Sequence, residues 1–229
     1  MPAAPGGRRM IRPLEKLHLG DIVRLYFHPV STTSRPVMLF AAEHGQDLDL
    51  KVVDLFTGEH KQDDHRARNS LGQVPVLELD DGTAISETVS ICRYLEALKP
   101  EPPLFGVTPK EIGPIDMWVR RVEQQVGAHV GHVWINTHPY TERYARTHGI
   151  QRYADFGEYS RGRALSGMDW LDREIAGRDY IAGDAFSMAD IVALTILDFS
   201  AFIGLPVPDE CARLKTWHAR VSARPSADA

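Results

Sequence analysis

The chain has 229 residues, of which 43% are hydrophobic and 25% charged, with a net charge of -5. That is enough for two ordinary domains with real cores, and a mildly acidic balance with no basic face excludes nucleic acid as the expected partner. No apolar run approaches the roughly 18 residues that a membrane span needs, so no membrane partner is expected, and a cytoplasmic location fits Cys92 and Cys211, which lie far apart and in no Cys-x-x-Cys or zinc pattern.

Residues 1–20 contain Pro, Gly and the pair Arg8-Arg9 but no continuous apolar segment, and read as a flexible N-terminal extension. A first domain is expected over 21–98. Ile22 to Phe27 reads as a strand; His28 to Ser34 is a polar loop; Val37 to Ala42 has helical character, with Pro36 suited to a first turn and Gly45 to a helix end. Leu48 to Leu55 is a second β-type run, so the opening unit is strand, helix, strand, as in a parallel crossover. Val76–Leu79 and Thr83–Ile85 flank Asp81-Gly82, a strong hairpin signal. A helix over Glu87–Leu98 completes a four-stranded mixed sheet with helices.

The stretch from Gln73 to Thr88 looks like a device for holding a peptide. Val74 precedes Pro75 and is pushed into extended geometry, leaving its backbone groups available to pair with an extended ligand. Ser86, Glu87 and Thr88 then open a helix, whose unpaired N–H groups and positive dipole end favour a carboxylate.

Residues 99–108, with Lys99-Pro100-Glu101-Pro102-Pro103, read as a stiff linker. Over 109–229 the β pattern disappears, and amphipathic helices are expected from Pro109 to about Val133, about Thr141 to Ala176, and Ser187 to Ser200. Ser187-Met188-Ala189-Asp190 has the spacing of a capping box, with Phe186 as staple; a cap alone is worth about 1 kcal/mol.

An α/β half with this Val-Pro and Glu-Thr arrangement, a proline linker and an all-helical half with a Ser-x-x-Asp cap resembles the cytosolic glutathione transferases. The resemblance runs from Ile22 to Pro225 and rests on Gly58-Glu59-His60-Lys61, Gln73-Val74-Pro75, Glu87-Thr88 and the run Gly183 to Asp190. Within the superfamily, Gly58–Lys61, Val74–Thr83 and Val207–Cys211 are most similar to an atypical fungal and bacterial subfamily, and Leu25-Tyr26 with Ser31 to the theta class. It implies a thioredoxin-like domain followed by a helical bundle, usually as a homodimer. It further implies that Val74 pairs with the cysteinyl part of glutathione beside a cis Pro75, within the Gln73-Val74-Pro75 loop. Glu87 and Thr88 would hold the γ-glutamyl end, and His60 and Lys61 the glycyl carboxylate. The expected function is conjugation of the glutathione thiolate to a small, hydrophobic electrophile, glutathione being a cosubstrate and no metal being required. The alternatives are a non-catalytic binding or scaffold protein on the same fold, and a glutathione-dependent disulfide reductase or ether-cleaving enzyme.

A free thiol with pKa about 8.5 is only a few per cent thiolate at neutral pH, and lowering it by about two units requires about 2.7 kcal/mol of preference for the anion. Ser31-Thr32-Thr33-Ser34 offers four hydroxyls for this purpose; the theta-class pattern favours Ser31, with Thr32, Thr33 and Ser34 as alternatives, although all four could simply cap the following helix. Some atypical members instead activate sulfur through water held by the first long helix after the linker. On that helix His129 and His132 share a side, and His132 is the candidate; neither completes a zinc pattern. Trp134 and Asn136, just beyond, are the expected contacts to the hydrophobic substrate, and Gly127 and Gly131 suggest close helix contact or space for a ligand.

Overall fold

The computed structural model describes residues 23–147 and 149–229; the expected extension over 1–20 lies outside the described residues. The first unit runs β1 (Arg24–Phe27), α1 (Arg35–His44), β2 (Asp49–Val52), α2 (Asp63–Arg68), β3 (Val76–Glu78), β4 (Ala84–Ser86) and α3 (Thr88–Leu98). The strands form one mixed sheet in the order β2-β1-β3-β4, with β2 parallel to β1 and the other pairs antiparallel. Alternation along β1 decides what each face does. Leu25 and its register partner Leu77 are fully buried on the face covered by Val37, Phe40, Ile91 and Leu95, whereas Tyr26 and Val76 pack on the opposite face with Val53 and Val74. Gly45 ends α1 with φ 53°, a left-handed position that glycine occupies without a Cβ penalty.

The helical unit contains α4 (Pro109–Val122), α5 (Ala128–Thr137), α6 (Pro139–Thr147), α7 (Ala154–Glu174), α8 (Met188–Phe202) and α9 (Ala212–Ser222). Three features differ from the sequence reading. The helix expected to end near Val133 continues to Thr137 through a π segment, Glu123–Gly127, joining α4 to α5. The stretch expected from Thr141 to Ala176 divides into α6 and α7. Helices α2 and α9 were not expected: α2 is a single polar run with no apolar period, and α9 buries only Leu214, Trp217 and Val221 among basic residues.

Two polar networks fix the halves against each other. Arg35, at the start of α1, donates to Asp198 of α8 at 2.5 Å, and the same carboxylate meets His218 of α9 at 2.5 Å. Near the other end of α1, both oxygens of Glu43 accept from Arg224 at 2.7 Å, and Ser226 donates to the same carboxylate. Burial pushes the Glu43 carboxyl up, but Arg224 and Ser226 more than offset it and hold the group below its ordinary range. Asp190 closes the capping box at the start of α8 and is completely buried. Cys92 and Cys211 are both buried. No helix among the described residues is long and apolar enough to cross a membrane.

Candidate active site

A cavity of about 340 Å³ opens between the two halves. One wall is the N-terminal end of α1 and α3, through Thr32, Thr33, Pro36 and Thr88; the other is the π segment, α5 and α8, through Glu123, Gly127, Gly131, Ile196 and Phe199 among others. The α1 end is built by the hydroxyl loop. Ser31 builds the turn before α1: its carbonyl accepts from the N–H of Ser34 and Arg35, and its Oγ accepts from the N–H of Ser34, the N-cap residue, at 3.3 Å. Thr33 donates its hydroxyl to the Val74 carbonyl at 2.7 Å, so in the 3.0 Å contact between Ser31 Oγ and Thr33 Oγ1 the serine is the donor. Thr88 donates to the Thr33 carbonyl at 2.7 Å, which ties the start of α3 to the same loop. Ser34 is 1% exposed and turned away from the cavity wall, its Oγ meeting no partner among the described residues. The hydroxyls on the wall are therefore those of Thr32, Thr33 and Thr88, with Thr195 opposite, and the Ser31 hydroxyl reaches the site through Thr33.

The peptide-holding loop is assembled by donors that converge on its carbonyls. Lys61 Nζ donates to Leu71 and Gly72 at 3.2 and 2.6 Å, while His65 Nε2 and Asn69 Nδ2 both donate to the Gln73 carbonyl, at 2.9 and 3.0 Å. A carbonyl can only accept, which requires the proton of His65 on Nε2. Burial lowers the Lys61 pKa, and nearby Arg66 acts in the same direction. Gly72 has φ 58°, and a Cβ there would stand 2.7 Å from the His60 carbonyl, so no larger residue fits the turn. The Val74-Pro75 bond is cis. The Val74 carbonyl is engaged by Thr33, and its N–H donates to no group among the described residues.

Glu87 occupies φ 70°, ψ 120° immediately before α3. It is the one non-glycine residue with positive φ among those described. A backbone held in that region costs of order 1–3 kcal/mol and clusters at functional sites. Nothing in the sequence signals this strain. His60 is nearly buried and its ring lies against Tyr144 of α6, with centroids 6.4 Å apart, while the Gln73 side chain is exposed. His60, Lys61, Gln73, Val74, Pro75 and Glu87 do not line the cavity; Val74 is tied to its wall by the hydrogen bond from Thr33, and Lys61 and His65 hold the loop before it.

The helical wall contributes a residue the sequence reading missed. Glu123 opens the π segment and is the ionisable group on the cavity lining. Burial raises its pKa, Arg120 at 3.4 Å opposes that shift, and Asp116 and Glu87 add to it. The signal available in sequence was a carboxylate one turn before the first of two helix glycines. Those glycines have different roles: a Cβ on Gly127 would meet Ile196 Cδ1 at 2.7 Å, whereas Gly131 faces open space. Gly127 permits the contact with α8, and Gly131 leaves room.

His129 and His132 face away from the cavity. Their rings are 6.1 Å apart, His132 packs on Phe156 of α7 at 4.9 Å, and burial, with Arg163 and His132 nearby, lowers the His129 pKa. Asn136 is committed to the backbone, donating to the His132 carbonyl at 2.9 Å and accepting from the Tyr153 N–H at 2.8 Å. Trp134 packs edge-on against Phe199, a cavity-lining residue, at 5.2 Å and continues into an aromatic group with His138 and Phe202. The structure thus brings Thr88 to the cavity, with Val74 and Ser31 one hydrogen bond behind Thr33, Glu87 next to Thr88, and Trp134 behind Phe199. It does not bring Ser34, His132 or Asn136 there.

Residues 30–98 match the model of the glutathione S-transferase N-terminal domain, and residues 158–225 that of the C-terminal domain. Glutathione S-transferase 2 of Saccharomyces cerevisiae is 40% identical over 178 residues, covering 76% of this chain and 73% of the yeast protein. The chain belongs to the glutathione S-transferase family. The crystal structure of yeast Gtt2 superposes with a TM-score of 0.84 at 36% identity, covering 90% of this chain and 98% of that one. A glutathione S-transferase domain-containing protein of Marinobacter aquaeolei gives 0.84 at 34%, covering 89% of this chain and 98% of its own. Human glutathione S-transferase theta-2 is 29% identical over 211 residues, 88% of this chain and 81% of the human protein. Gtt2-like fungal and bacterial transferases and theta-class enzymes, the two groups that the sequence motifs resemble, are among those matched.

Proposed function

We propose that this transferase conjugates glutathione to a small, hydrophobic, aromatic electrophile in the cavity between its halves, acting as a homodimer. The observation that carries the reading is that Thr33, bonded to the Val74 carbonyl, and Thr88, directly after the strained Glu87, line one cavity whose far wall is mostly apolar and includes Phe199. The cysteinyl backbone of glutathione pairs with the unengaged N–H of Val74. Its γ-glutamyl carboxylate takes the first-turn N–H groups at Thr88, whose own hydroxyl is held by the Thr33 carbonyl, with Glu87 on the ammonium, and the glycyl end runs toward His60 and Lys61. These groups orient the tripeptide so that the sulfur lies at the N-terminal end of α1, where helix dipole and hydroxyl both favour an anion.

Of the four hydroxyls proposed for the thiol, Thr32 fits best. It lines the cavity and meets no partner among the described residues, whereas the Thr33 proton is engaged by Val74, Ser31 lies off the wall and donates to Thr33, and Ser34 is buried off the wall. The thiol S–H releases its proton to solvent, the thiolate accepts a hydrogen bond from Thr32, and its lone pair forms the new C–S bond as the leaving group departs with the electrons of the broken bond. With chlorodinitrobenzene the products are the aryl thioether, chloride and a proton. The test is conjugation of glutathione to chlorodinitrobenzene by wild type, Ser31→Ala and Thr32→Val. Thr32→Val is expected to lose about two to three orders of magnitude in kcat, as for removal of one anion-stabilising donor, and Ser31→Ala much less. Absence of conjugation by the wild type would sink the catalytic reading in favour of a binding protein, and full activity in Thr32→Val would sink the assignment of Thr32.

A further inference from the structure

A second groove of about 320 Å³ lies on the far face of the helical half, between the C-terminal end of α7, the turn at Gly177-Arg178 and α9. It shares no lining residue with the cavity described above. Three arginines surround it: Arg178 on one wall, and Arg213 and Arg220 on the other. The latter two are seven residues apart on α9, hence on one face and separated by two turns, about 10.5 Å. Ile175 and the buried Trp217 supply an apolar floor.

Each arginine is held without being used up. Arg213 meets Asp172 at 3.2 Å, and that carboxylate is buried and fixed by the Leu214 N–H at 2.8 Å. Arg220 pairs with Asp179 Oδ1 at 3.0 Å and donates to the Asp179 carbonyl. Arg178 has no carboxylate partner among the described residues; it donates to the Ile181 carbonyl at 3.4 Å and sits 5.2 Å over the Trp118 ring. A guanidinium carries five N–H donors, so most of the donors of all three stay available. Two of the three arginines are each paired with one aspartate, which leaves Arg178 as the cation on the groove with no carboxylate partner among the described residues. Fixed, forked donors around a small apolar floor match a tetrahedral oxyanion attached to a ring or short chain.

We propose that this groove binds a small organic phosphate or sulfate monoester, its oxyanion among Arg178, Arg213 and Arg220 and its apolar part on Ile175 and Trp217. The site is independent of glutathione.

Calorimetric titration of the full chain with phenyl phosphate, phenyl sulfate and benzyl alcohol tests it. Saturable binding of either ester, unchanged by saturating glutathione and weakened about tenfold or more in Arg178→Gln/Arg220→Gln, is the expected result, with benzyl alcohol silent. The relative affinities of the two esters then distinguish a phosphate from a sulfate ligand. Arg213 is left in place because its loss would strand the buried Asp172. Unaltered glutathione binding and melting temperature show that the double variant is folded; single variants Arg178→Lys and Arg220→Lys serve should it fail to fold, and are expected to weaken binding by loss of the fork. No saturable binding, equal affinity in the variants, equal binding of benzyl alcohol, or competition with glutathione would each overturn the proposal.

Discussion

Replacing Asp190 by alanine removes the acceptor for four buried donors at once. Its Oδ1 accepts from the Ile181 N–H at 2.9 Å and from Trp217 Nε1 at 2.8 Å; its Oδ2 accepts from the Ser187 N–H at 2.9 Å and the Ser187 hydroxyl at 3.0 Å. These bonds join the loop before α8, the cap of α8 and the middle of α9, so the residue does far more than close a capping box. Hydrogen bonds to a charged group contribute roughly 1.5–3 kcal/mol each, but four on one carboxylate are not additive. Burial outweighs them and leaves the Asp190 pKa raised from 3.8 to about 6, a net cost for the anion of order 3 kcal/mol at neutral pH after the four bonds are counted. The net expectation is that of breaking a buried network, about 3–5 kcal/mol, against about 1 kcal/mol for a cap alone. Urea denaturation measures it directly, and for a chain of this size the melting temperature should fall by roughly 6–20 °C. A loss of about 1 kcal/mol or less would show that the four donors find other partners and that Asp190 is only a cap.

Because the folded pKa of Asp190 is raised, its contribution is fully present below about pH 4 and is lost as pH rises through about 6; the stability of wild type relative to Asp190→Asn should therefore fall between pH 4 and 7, and a constant difference would refute the assigned shift. Glu43 has the opposite sign: its lowered pKa contributes stability above its ordinary value that is lost on acidification. Arg224→Ala strands that nearly buried carboxylate and should cost about 3–5 kcal/mol in urea denaturation, whereas a change under about 1 kcal/mol would mean that the tie between the halves is solvent-screened. In Gly167→Ala the new Cβ would stand 2.2 Å from the Gln125 carbonyl of the π segment, an obstacle of backbone rather than a flexible side-chain end. It should destabilise by about 1–3 kcal/mol. Gly131→Ala has open space and should leave the fold as stable or up to about 1 kcal/mol more so, while the added methyl narrows the cavity and raises KM for bulky electrophiles without changing glutathione affinity.

Where local chemistry decides an element, the sequence is legible. Asp81-Gly82 has the residues a tight hairpin needs, Gly45 ends α1 in the left-handed conformation, and Ser187 with Asp190 forms the box at α8. Where packing decides, it is not. Residues Asp63 to Arg68 contain no apolar period, and α9 was obscured because Leu214, Trp217 and Val221 alternate with basic residues. The π segment depends on the close approach of Gly167 to Gln125, a contact between residues far apart in sequence. The same distinction holds at the site. The residues proposed for glutathione fall within one stretch from His60 to Thr88, and Glu87 was chosen without its strained backbone being visible. Four consecutive hydroxyls, however, differ only in rotation about the start of a helix, and that rotation directs Thr32 and Thr33 to the cavity while Ser34 is buried. For His132, spacing fixed a helix side but not which neighbour that side meets, and the neighbour is Phe156.

Glutathione is proposed to be held beside the cavity between the halves by Val74, Glu87 and Thr88. Calorimetric titration of glutathione into the wild-type chain and into Glu87→Gln tests it most directly. Saturable binding of one glutathione per chain, weakened about tenfold or more in the variant through loss of the contact between Glu87 and the ammonium, is the predicted result; no binding by the wild type, or equal binding by both proteins, would contradict it.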